Sequence, residues 1–372
     1  MVILKEVKSK KDLKKFVKLP FKLYKDSKYW TPPIISEELS SFNTKENPVF
    51  NDAEARLFLA YKNNQLVGRI AAIINWVEIN KQEVKKMRFG WFDFIDDFEV
   101  SQTLLNKVED IGKLNKLEFM EGPVGFSNLD KVGLVTDGFN HIALMVTWYN
   151  HPYYVKHYEK ALFKEEKVYV ETKIPFKNIN KEVFEKAQAL IKRRYQLRAL
   201  NFTKTNQLMP YVDDMFELFN ESYASLPSFV PISNEQIAHL KKKFISFVNP
   251  EYIKFVVDKE DKLVGFAVVM PSFAKALHKI KGKLFPFGFI KILQAKKHSD
   301  EAVFYLIGVK PEYQNKGIHS IIFNEYYQLL TKKGINNCYR TPELIENDSA
   351  RKIWRHFDSE IYRTRKTFKK EL

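Results

Sequence analysis

The chain has 372 residues, 45% of them hydrophobic, enough to fill two cores of ordinary domain size. Its single cysteine, Cys338, excludes an intrachain disulfide and a cysteine metal cluster, and its best apolar stretch, interrupted by Arg69 and Glu78, falls short of the ~20 residues of a membrane span. A formal net charge of +16 steers polyanions of any kind, but its short clusters, such as Lys8-Ser9-Lys10-Lys11, Lys241-Lys242-Lys243 and Lys296-Lys297, resemble solvated faces and argue against a dedicated nucleic-acid surface.

From the start of the chain, Met1-Val2-Ile3-Leu4-Lys5-Glu6 turns charged too early for a signal peptide, so a cytoplasmic protein is expected. Leu57 to Tyr61, the turn Lys62-Asn63-Asn64 and Gln65 to Ile74 read as a β-hairpin. Arg88 to Phe94 reads as a strand, Val100 to Leu114 as a helix and Leu117 to Met120 as a further strand. Between the first of these and the helix stands Ile95-Asp96-Asp97-Phe98-Glu99, without glycine and with three carboxylates. Such a loop caps a helix N-terminus well and repels a phosphate. The tyrosine-rich stretch from Tyr149 to Tyr158 is expected to be aromatic packing beneath a loop, the other reading being the wall of a cleft. His141, His151 and His157 show no metal-ligand spacing, and no serine–histidine–acid arrangement stands out.

The parts then recur. Tyr252 to Val257, a charged turn and Lys262 to Val269 repeat the hairpin roughly two hundred residues later. Leu277 to Ala295, centred on Phe285-Pro286-Phe287-Gly288-Phe289, is longer than a connection needs and is expected to lie over an active-site mouth or against the N-terminal half. Val303 to Val309 reads as a strand that Pro311 stops. Ile318, Ile321, Ile322, Tyr326, Leu329 and Leu330 mark one face of the next helix, which Gly334 ends. The loop between them turns unpaired N–H groups outward at a helix N-terminus, with Gly317 removing a side chain where a ligand must come close; that suits a phosphate or pyrophosphate. Ile335 to Thr341 reads as the following strand, and Asn347-x-x-Ala350-x-x-Ile353-Trp354 opens a helix with Asn347 or Asp348 as N-cap.

The spacing Gln314-x-x-Gly317-x-His319, directly after Gly308-Val309, resembles the pyrophosphate loop of the GNAT superfamily of acyl-CoA N-acyltransferases. His319 departs from the family pattern, which has Gly or Ala there. Gly68 to Asn75, Gly90 to Asp97, Glu121 to Asn128, Tyr149 to Tyr154 and Lys283 to Gly288 look like a family of bacterial tandem GNAT-like proteins, a match over nearly the whole chain. The resemblance implies an α/β (α+β) fold of two tandem GNAT-like domains, each a mixed twisted sheet flanked by helices: residues 1–175 without a cofactor loop and 176–372 with one. It implies acetyl-CoA or another acyl-CoA, with pantetheine on the Ile307, Gly308 and Val309 backbone beside a bulge that Gly308 suits. The pyrophosphate would take the amides of Gln314, Asn315, Lys316, Gly317, Ile318, His319 and Ser320, and Asn347 and Trp354 fall on the cofactor side.

Acyl transfer to an amine needs a base, a polarised thioester carbonyl and a proton for the departing thiolate. Glu343 and Glu346 are candidate bases, set against the commoner fate of loop carboxylates as solvated groups. Trp354 stands where many GNAT enzymes carry an acidic tyrosine, and indole supplies no proton at neutral pH. Tyr339, Tyr305 and Tyr362 are the candidate substitutes, set against packing roles. Cys338 is expected to be a small core residue. The expected function is an acyl-CoA-dependent N-acyltransferase, with acetyl-CoA the leading donor, acting on a small-molecule or peptide amine and without a membrane partner. Two other readings stay open: a CoA-binding or regulatory protein without catalysis, for which His319 and Trp354 speak, and an aminoacyl-tRNA-dependent transferase of the Fem type, against which the loop speaks.

Overall fold

The strand and helix periods of the sequence are realised in a computed structural model that describes residues 1–176, 181–226, 229–244, 248–347, 353–354 and 357–372. The first half of the chain runs β1 (Val2–Glu6), α1 (Lys10–Leu23), α2 (Ile35–Ser41), β2 (Ala53–Lys62), β3 (Gln65–Asn75), α3 (Trp76–Lys81), β4 (Lys86–Phe94), α4 (Phe98–Leu114), β5 (Phe119–Gly122), β6 (Leu134–Asp137), α5 (Tyr153–Lys160) and β7 (Lys164–Pro175). The second half adds α6 (Lys181–Tyr195), β8 (Arg198–Asn201), α7 (Thr205–Leu208), α8 (Val212–Tyr223), α9 (Asn234–Phe244), β9 (Ile253–Val257) and β10 (Leu263–Pro271). It closes with α10 (Ala274–Ile280), α11 (Gly288–His298), β11 (Glu301–Val309), α12 (His319–Lys332), β12 (Asn337–Arg340), β13 (Glu343–Leu344) and β14 (Glu360–Glu371). Beyond Ile353 and Trp354, the body of the helix expected after Asn347 lies outside the described residues.

Two compact units emerge. Unit 1 comprises Met1–Val170, Ala274–Lys291 and Tyr362–Leu372; unit 2 comprises Glu171–Phe273 and Ile292–Ile361. Beyond the single division at 175/176 that the resemblance implies, two later segments therefore group with unit 1. The first is most of the long insertion, held by the Ile35 amide donating to the Gly282 carbonyl (3.3 Å) and by His278 Nδ1 against the Trp30 carbonyl (3.1 Å). Gly282 has φ +67°, and a Cβ there would meet the Pro33 carbonyl at 2.2 Å, so the turn accepts only glycine.

Within unit 1, β1, β2, β3, β4 and β5 are neighbours in that order, antiparallel except for the parallel pair β4–β5. Asn63 and Asn64 take φ of 50° and 60°, the left-handed pair that a two-residue hairpin turn demands. Period two then sorts β3: Ile70, Ala72 and Ile74 pack with Leu104 and Val108 of α4, whereas Ala71 and Ile73 pack with Phe16 and Val17 of α1. Helices thus cover both faces, which is why β3 and β4 are buried almost end to end. Tyr154 and Tyr158 are buried in the α4-side core, so the tyrosine-rich stretch is packing.

Unit 2 repeats the order as β8, β9, β10, β11, β12, again with one parallel pair, β11–β12. Its core gathers Val256, Val264, Ala267, Phe304, Ile318, Ile322 and Tyr326 beneath α12, together with Cys338, which is fully buried. Burial pushes the Cys338 thiol up, away from nucleophilic use.

The sixth strand of each unit follows the other copy in sequence. In unit 2, β12 pairs antiparallel with the end of β7, Cys338 opposite Ile174. In unit 1, β5 pairs antiparallel with β14, Gly122 opposite Phe368. Strand β14 buries Arg363, Arg365 and Thr367 completely. Arg365 Nη1 donates to the Gly133 carbonyl at 3.3 Å, and Thr367 Oγ1 donates to Glu121 at 3.0 Å.

Candidate functional site

In unit 2, β11 and β12 run parallel from Glu301 opposite Asn337 to Phe304 opposite Arg340. Thr341 makes the last ties, its amide donating to the Phe304 carbonyl and its hydroxyl to the Tyr305 carbonyl, each at 3.3 Å. Against β10, Val268 pairs with Leu306 and Val269 with Phe304, leaving Tyr305 as the extra residue. The bulge therefore sits at Tyr305 and not at Gly308, which pairs regularly with Phe266. Gly308 answers a different need: a Cβ there would lie 2.3 Å from the Phe266 ring. A bulge re-aims the strand, so β11 leaves β12 beyond it.

The freed edge of β11 faces the C-terminal turn of α8. Tyr223 Oη donates to the Ile307 carbonyl at 3.1 Å, and Ser222 Oγ donates to the Val309 carbonyl at 3.3 Å. Burial, opposed by the hydrogen bond to Ile307 and reinforced by the Glu343 charge, pushes the Tyr223 phenol up to about 12. Tyr223 is thus a protonated donor at neutral pH, at the strand edge. Sequence reading misses it, because its partner lies 84 residues away.

After β11, Pro311–Tyr313 forms one tight turn and the chain enters α12 through Gln314, Asn315, Lys316, Gly317 and Ile318. Asn315 and Gly317 take φ of 60° and 80°, an arrangement that turns successive amides to one side. The Gln314, Lys316 and Ser320 amides are engaged within the turn, donating to the Pro311, Tyr313 and Gly317 carbonyls. Those of Asn315, Gly317 and Ile318 make no backbone hydrogen bond among the described residues. Helix α12 has no side-chain cap, so its N-terminal field is open to an anion. Lys316, exposed, rests its ammonium over the Tyr195 and Tyr313 rings at 5.5 and 5.3 Å. His319 begins α12 and meets the Phe323 ring at 6.0 Å, so the family's small residue is replaced by a packed imidazole.

The other sequence candidates separate. Arg340 Nη2 is ion-paired with Glu343 and its guanidinium stacks 4.5 Å over Trp354. Glu346 is exposed, and Asn347 closes a turn by donating its amide to the Leu344 carbonyl at 3.0 Å. Tyr339 Oη leans toward Glu301 at 3.4 Å, on β12; burial and the Glu301 charge push its phenol up. Trp354 is buried against Phe304, Phe323 and Phe357 as part of the core. Tyr362 belongs to unit 1, where its ring meets His141.

Unit 1 carries the same frame closed. Trp91 and Phe92 together stand opposite Ile70, the counterpart of the Tyr305 bulge. Past the pair Arg88–Glu121, however, the chain turns back so that the Val124 amide donates to the Phe89 carbonyl at 2.8 Å, and a Cβ on Gly90 would lie 2.5 Å from the Val124 carbonyl. No gap opens there. At the entry of α4, Asp97 accepts from the Glu99 amide (3.0 Å), and Lys62 binds both Asp97 and Glu99. The Lys62 hydrogen bond, together with those amides, lowers the Asp97 carboxyl below its ordinary value. The helix thus supplies its own anion. Under the β4–β5 pair, Glu121 receives Lys86 (3.2 Å) and Lys167 (2.8 Å), while Arg88 grips Glu78 through two 2.7 Å bonds. Burial opposes ionisation of Glu121, but Lys86, Lys167 and Arg88 outweigh it and hold the carboxyl at about 2.

Unit 1 also contains a serine–histidine–acid arrangement that the sequence did not betray. Ser101 Oγ lies 2.7 Å from His157 Nδ1, and His157 Nε2 lies 2.9 Å from Asp96. Ser101 is fully buried and also donates to the Phe98 carbonyl at 3.1 Å. A hydroxyl without access to solvent ties α4 to α5 and does not attack a substrate.

The chain matches no family model. It is 26% identical to Protein YghO of Escherichia coli (strain K12) over 321 residues, covering 84% of this chain and 80% of that protein. It is 27% identical to the bacterial ceramide synthase of Caulobacter vibrioides (strain NA1000 / CB15N) over 317 residues, covering 83% and 80%. Among solved structures, a tandem GNAT protein from the clavulanic acid biosynthesis pathway superposes with a TM-score of 0.58 at 9% identity, over 100% of this chain and 98% of that one. A GCN5-related N-acetyltransferase from Sphaerobacter thermophilus does so with a TM-score of 0.51 at 8% identity, over 100% and 95%. At those identities the likeness concerns the fold. Two sets of strands with the same order, the same single parallel pair and the same bulge make this chain a tandem protein of the GNAT fold.

Proposed function

We propose that the chain is an acyl-CoA-dependent N-acyltransferase whose second copy binds the CoA and whose first copy binds none. The observation that carries this reading is the entry to α12: three amides without a backbone acceptor, an uncapped helix and Gly317 at φ +80°. Asn315, Gly317 and Ile318 would hold the pyrophosphate through their amides, Lys316 would add charge, and the β11 edge from Ile307 to Val309 would hold the pantetheine. Bound acyl-CoA supplies an acyl group already activated as a thioester. Tyr223 keeps its proton at neutral pH and serves as the donor toward the leaving sulfur. Glu346, exposed, and Glu343, ion-paired with Arg340, are the carboxylates from which the amine's base is drawn.

The relative from Caulobacter is named a ceramide synthase, and a ceramide is the amide of a fatty acid with a long-chain amino alcohol. We extend the acceptor class of this chain to long-chain amines on that ground. Titration calorimetry with acetyl-CoA, a long-chain acyl-CoA and desulpho-CoA tests the donor site, alongside Gly317→Glu. Binding is expected to weaken at least about 100-fold in the variant, since the new carboxylate meets the phosphates at close range; equal binding by both proteins would remove the loop from the site. Turnover on a panel of short and long-chain amines then tests the acceptor. Tight CoA binding with no turnover on any amine favours a regulatory protein, the reading to which His319 and the buried Trp354 lend weight.

A further inference from the structure

Large apolar side chains that remain exposed in this chain are mostly scattered singly, as on any protein surface. One segment differs. Phe285, Phe287, Phe289, Ile290 and Leu293 are 80%, 73%, 40%, 41% and 52% exposed, and the three phenylalanines are the exposed ones among the described residues of a chain that has 31. They occupy the turn between α10 and α11 and the first turns of α11. The segment is anchored at its base, where Gly282 sits against the Pro33 carbonyl and its own carbonyl accepts from the Ile35 amide. The Phe289 amide donates to the Leu284 carbonyl at 2.8 Å, so the tip is an ordered turn with its rings facing outward.

Its charge is equally one-sided. Between Asp261 and Asp300 the sequence has no acid, while Lys275, Lys279, Lys281, Lys283, Lys291, Lys296 and Lys297 lie within that interval. Lys279, Lys281, Lys283 and Lys291 are exposed and make no ion pair with a described residue. An aromatic tip rimmed by unpaired lysines is what an interfacial anchor needs: rings that enter the acyl boundary and ammonium groups that remain at the anionic headgroups. A second copy of the chain is a poor occupant, because it would set the same lysines against this face and bring together two chains of net charge +16 each.

We infer that the turn Leu284–Leu293 docks the protein on an anionic lipid bilayer, with Phe285 and Phe287 inserted and Lys279, Lys281, Lys283 and Lys291 at the headgroups. The absence of a membrane-spanning helix among the described residues bears on crossing a bilayer and not on lying against one. The inference rests on this surface alone and does not require the CoA reading; where both hold, a long-chain amine would be taken from the bilayer the anchor touches.

The test is flotation of the full chain with phosphatidylcholine vesicles, with and without phosphatidylglycerol, at low and high salt. Anionic vesicles are expected to bind the protein about tenfold or more tightly than neutral ones, with the preference lost at high salt. Phe285→Ser/Phe287→Ser should reduce binding to anionic vesicles about tenfold while melting as the parent does, and Lys279→Gln/Lys281→Gln/Lys283→Gln should remove the preference for anionic lipid. Phe287→Trp, which keeps the ring, should shift its emission to the blue when anionic vesicles are added; this readout stands even where the serine variant folds poorly. Failure of the parent to float, or parental binding by the serine variant, overturns the inference. So does a dimer in analytical centrifugation that the serine variant abolishes, since the patch then belongs to a second copy.

Discussion

The entries to α4 and α12 are the same junction built twice from opposite chemistry. At α4 the chain places Asp97 and Glu99 on the first amides and neutralises them with Lys62. At α12 it places Asn315 and Gly317 at positive φ and leaves the amides open. The strands behind them diverge in parallel fashion: Val124 closes unit 1 onto Phe89, whereas Tyr223 and Ser222 line an edge in unit 2. The same helix entry is thus left open in one copy and occupied by the chain's own carboxylates in the other, with the strand order and the bulge left intact.

The strongest way to break this comparison is to remove Glu360–Leu372. The loss strips the buried Arg363, Arg365, Thr367 and Phe368 from unit 1, and its effect should exceed the ~5 kcal/mol that a single substitution reaches. Unit 1 should lose its cooperative melting transition while CoA binding in unit 2 survives; loss of both would mean that the two units unfold as one. Acid comes next. The Glu121 carboxyl is lowered from 4.5 to about 2, so its contribution is fully present above pH ~4.5 and is lost as the pH falls toward 2, roughly 3 kcal/mol over that window. Urea midpoints at pH 6 and pH 3 should differ more for the parent than for Glu121→Gln, and equal slopes would show that the cluster is not the acid-sensitive element.

A smaller effect, in unit 2 alone, is expected from Tyr223→Phe: kcat down about 10- to 100-fold, with acyl-CoA affinity unchanged. A variant with parental kcat and weaker binding would assign Tyr223 to holding β11 in place. The smallest is Asp97→Ala, which should destabilise unit 1 by about 1 kcal/mol through loss of the cap and leave CoA binding at the other junction untouched. A change in CoA affinity there would mean that unit 1 takes part in binding after all.

Both hairpins, the strand, helix and strand after each, and the α12 entry were legible in the sequence, because each is encoded locally by period and by Gly and Pro; that one strand pair in each copy runs parallel was not read there. The bulge was placed three residues late, since Gly308 carries the expected signature, but its missing side chain makes room for the Phe266 ring. The strand β14 was invisible for a physical reason: Arg363, Arg365 and Thr367 are buried on it and reach carbonyls and a carboxylate more than 200 residues away, while its buried rings, Tyr362 and Phe368, stand too far apart to mark an apolar alternation. Tyr223 and the Ser101–His157–Asp96 set escaped for the same reason, their partners being far apart in sequence. The acceptor remained illegible because loop carboxylates such as Glu346 look alike whether they work or are merely hydrated.

The exchange of sixth strands has a consequence for biosynthesis. Thr367 and its partner Glu121 are separated by 246 positions, a stretch that takes roughly 12 to 50 s to translate at ~5–20 residues per second. Throughout that interval β5 offers an unpaired edge beside buried lysines, arginines and glutamates whose sheet is incomplete. Unit 2 receives its own borrowed strand, β7, before the rest of it is made. The copy translated first is therefore the copy that finishes folding last, and any chaperone that attends this chain has its longest task at the N-terminal half.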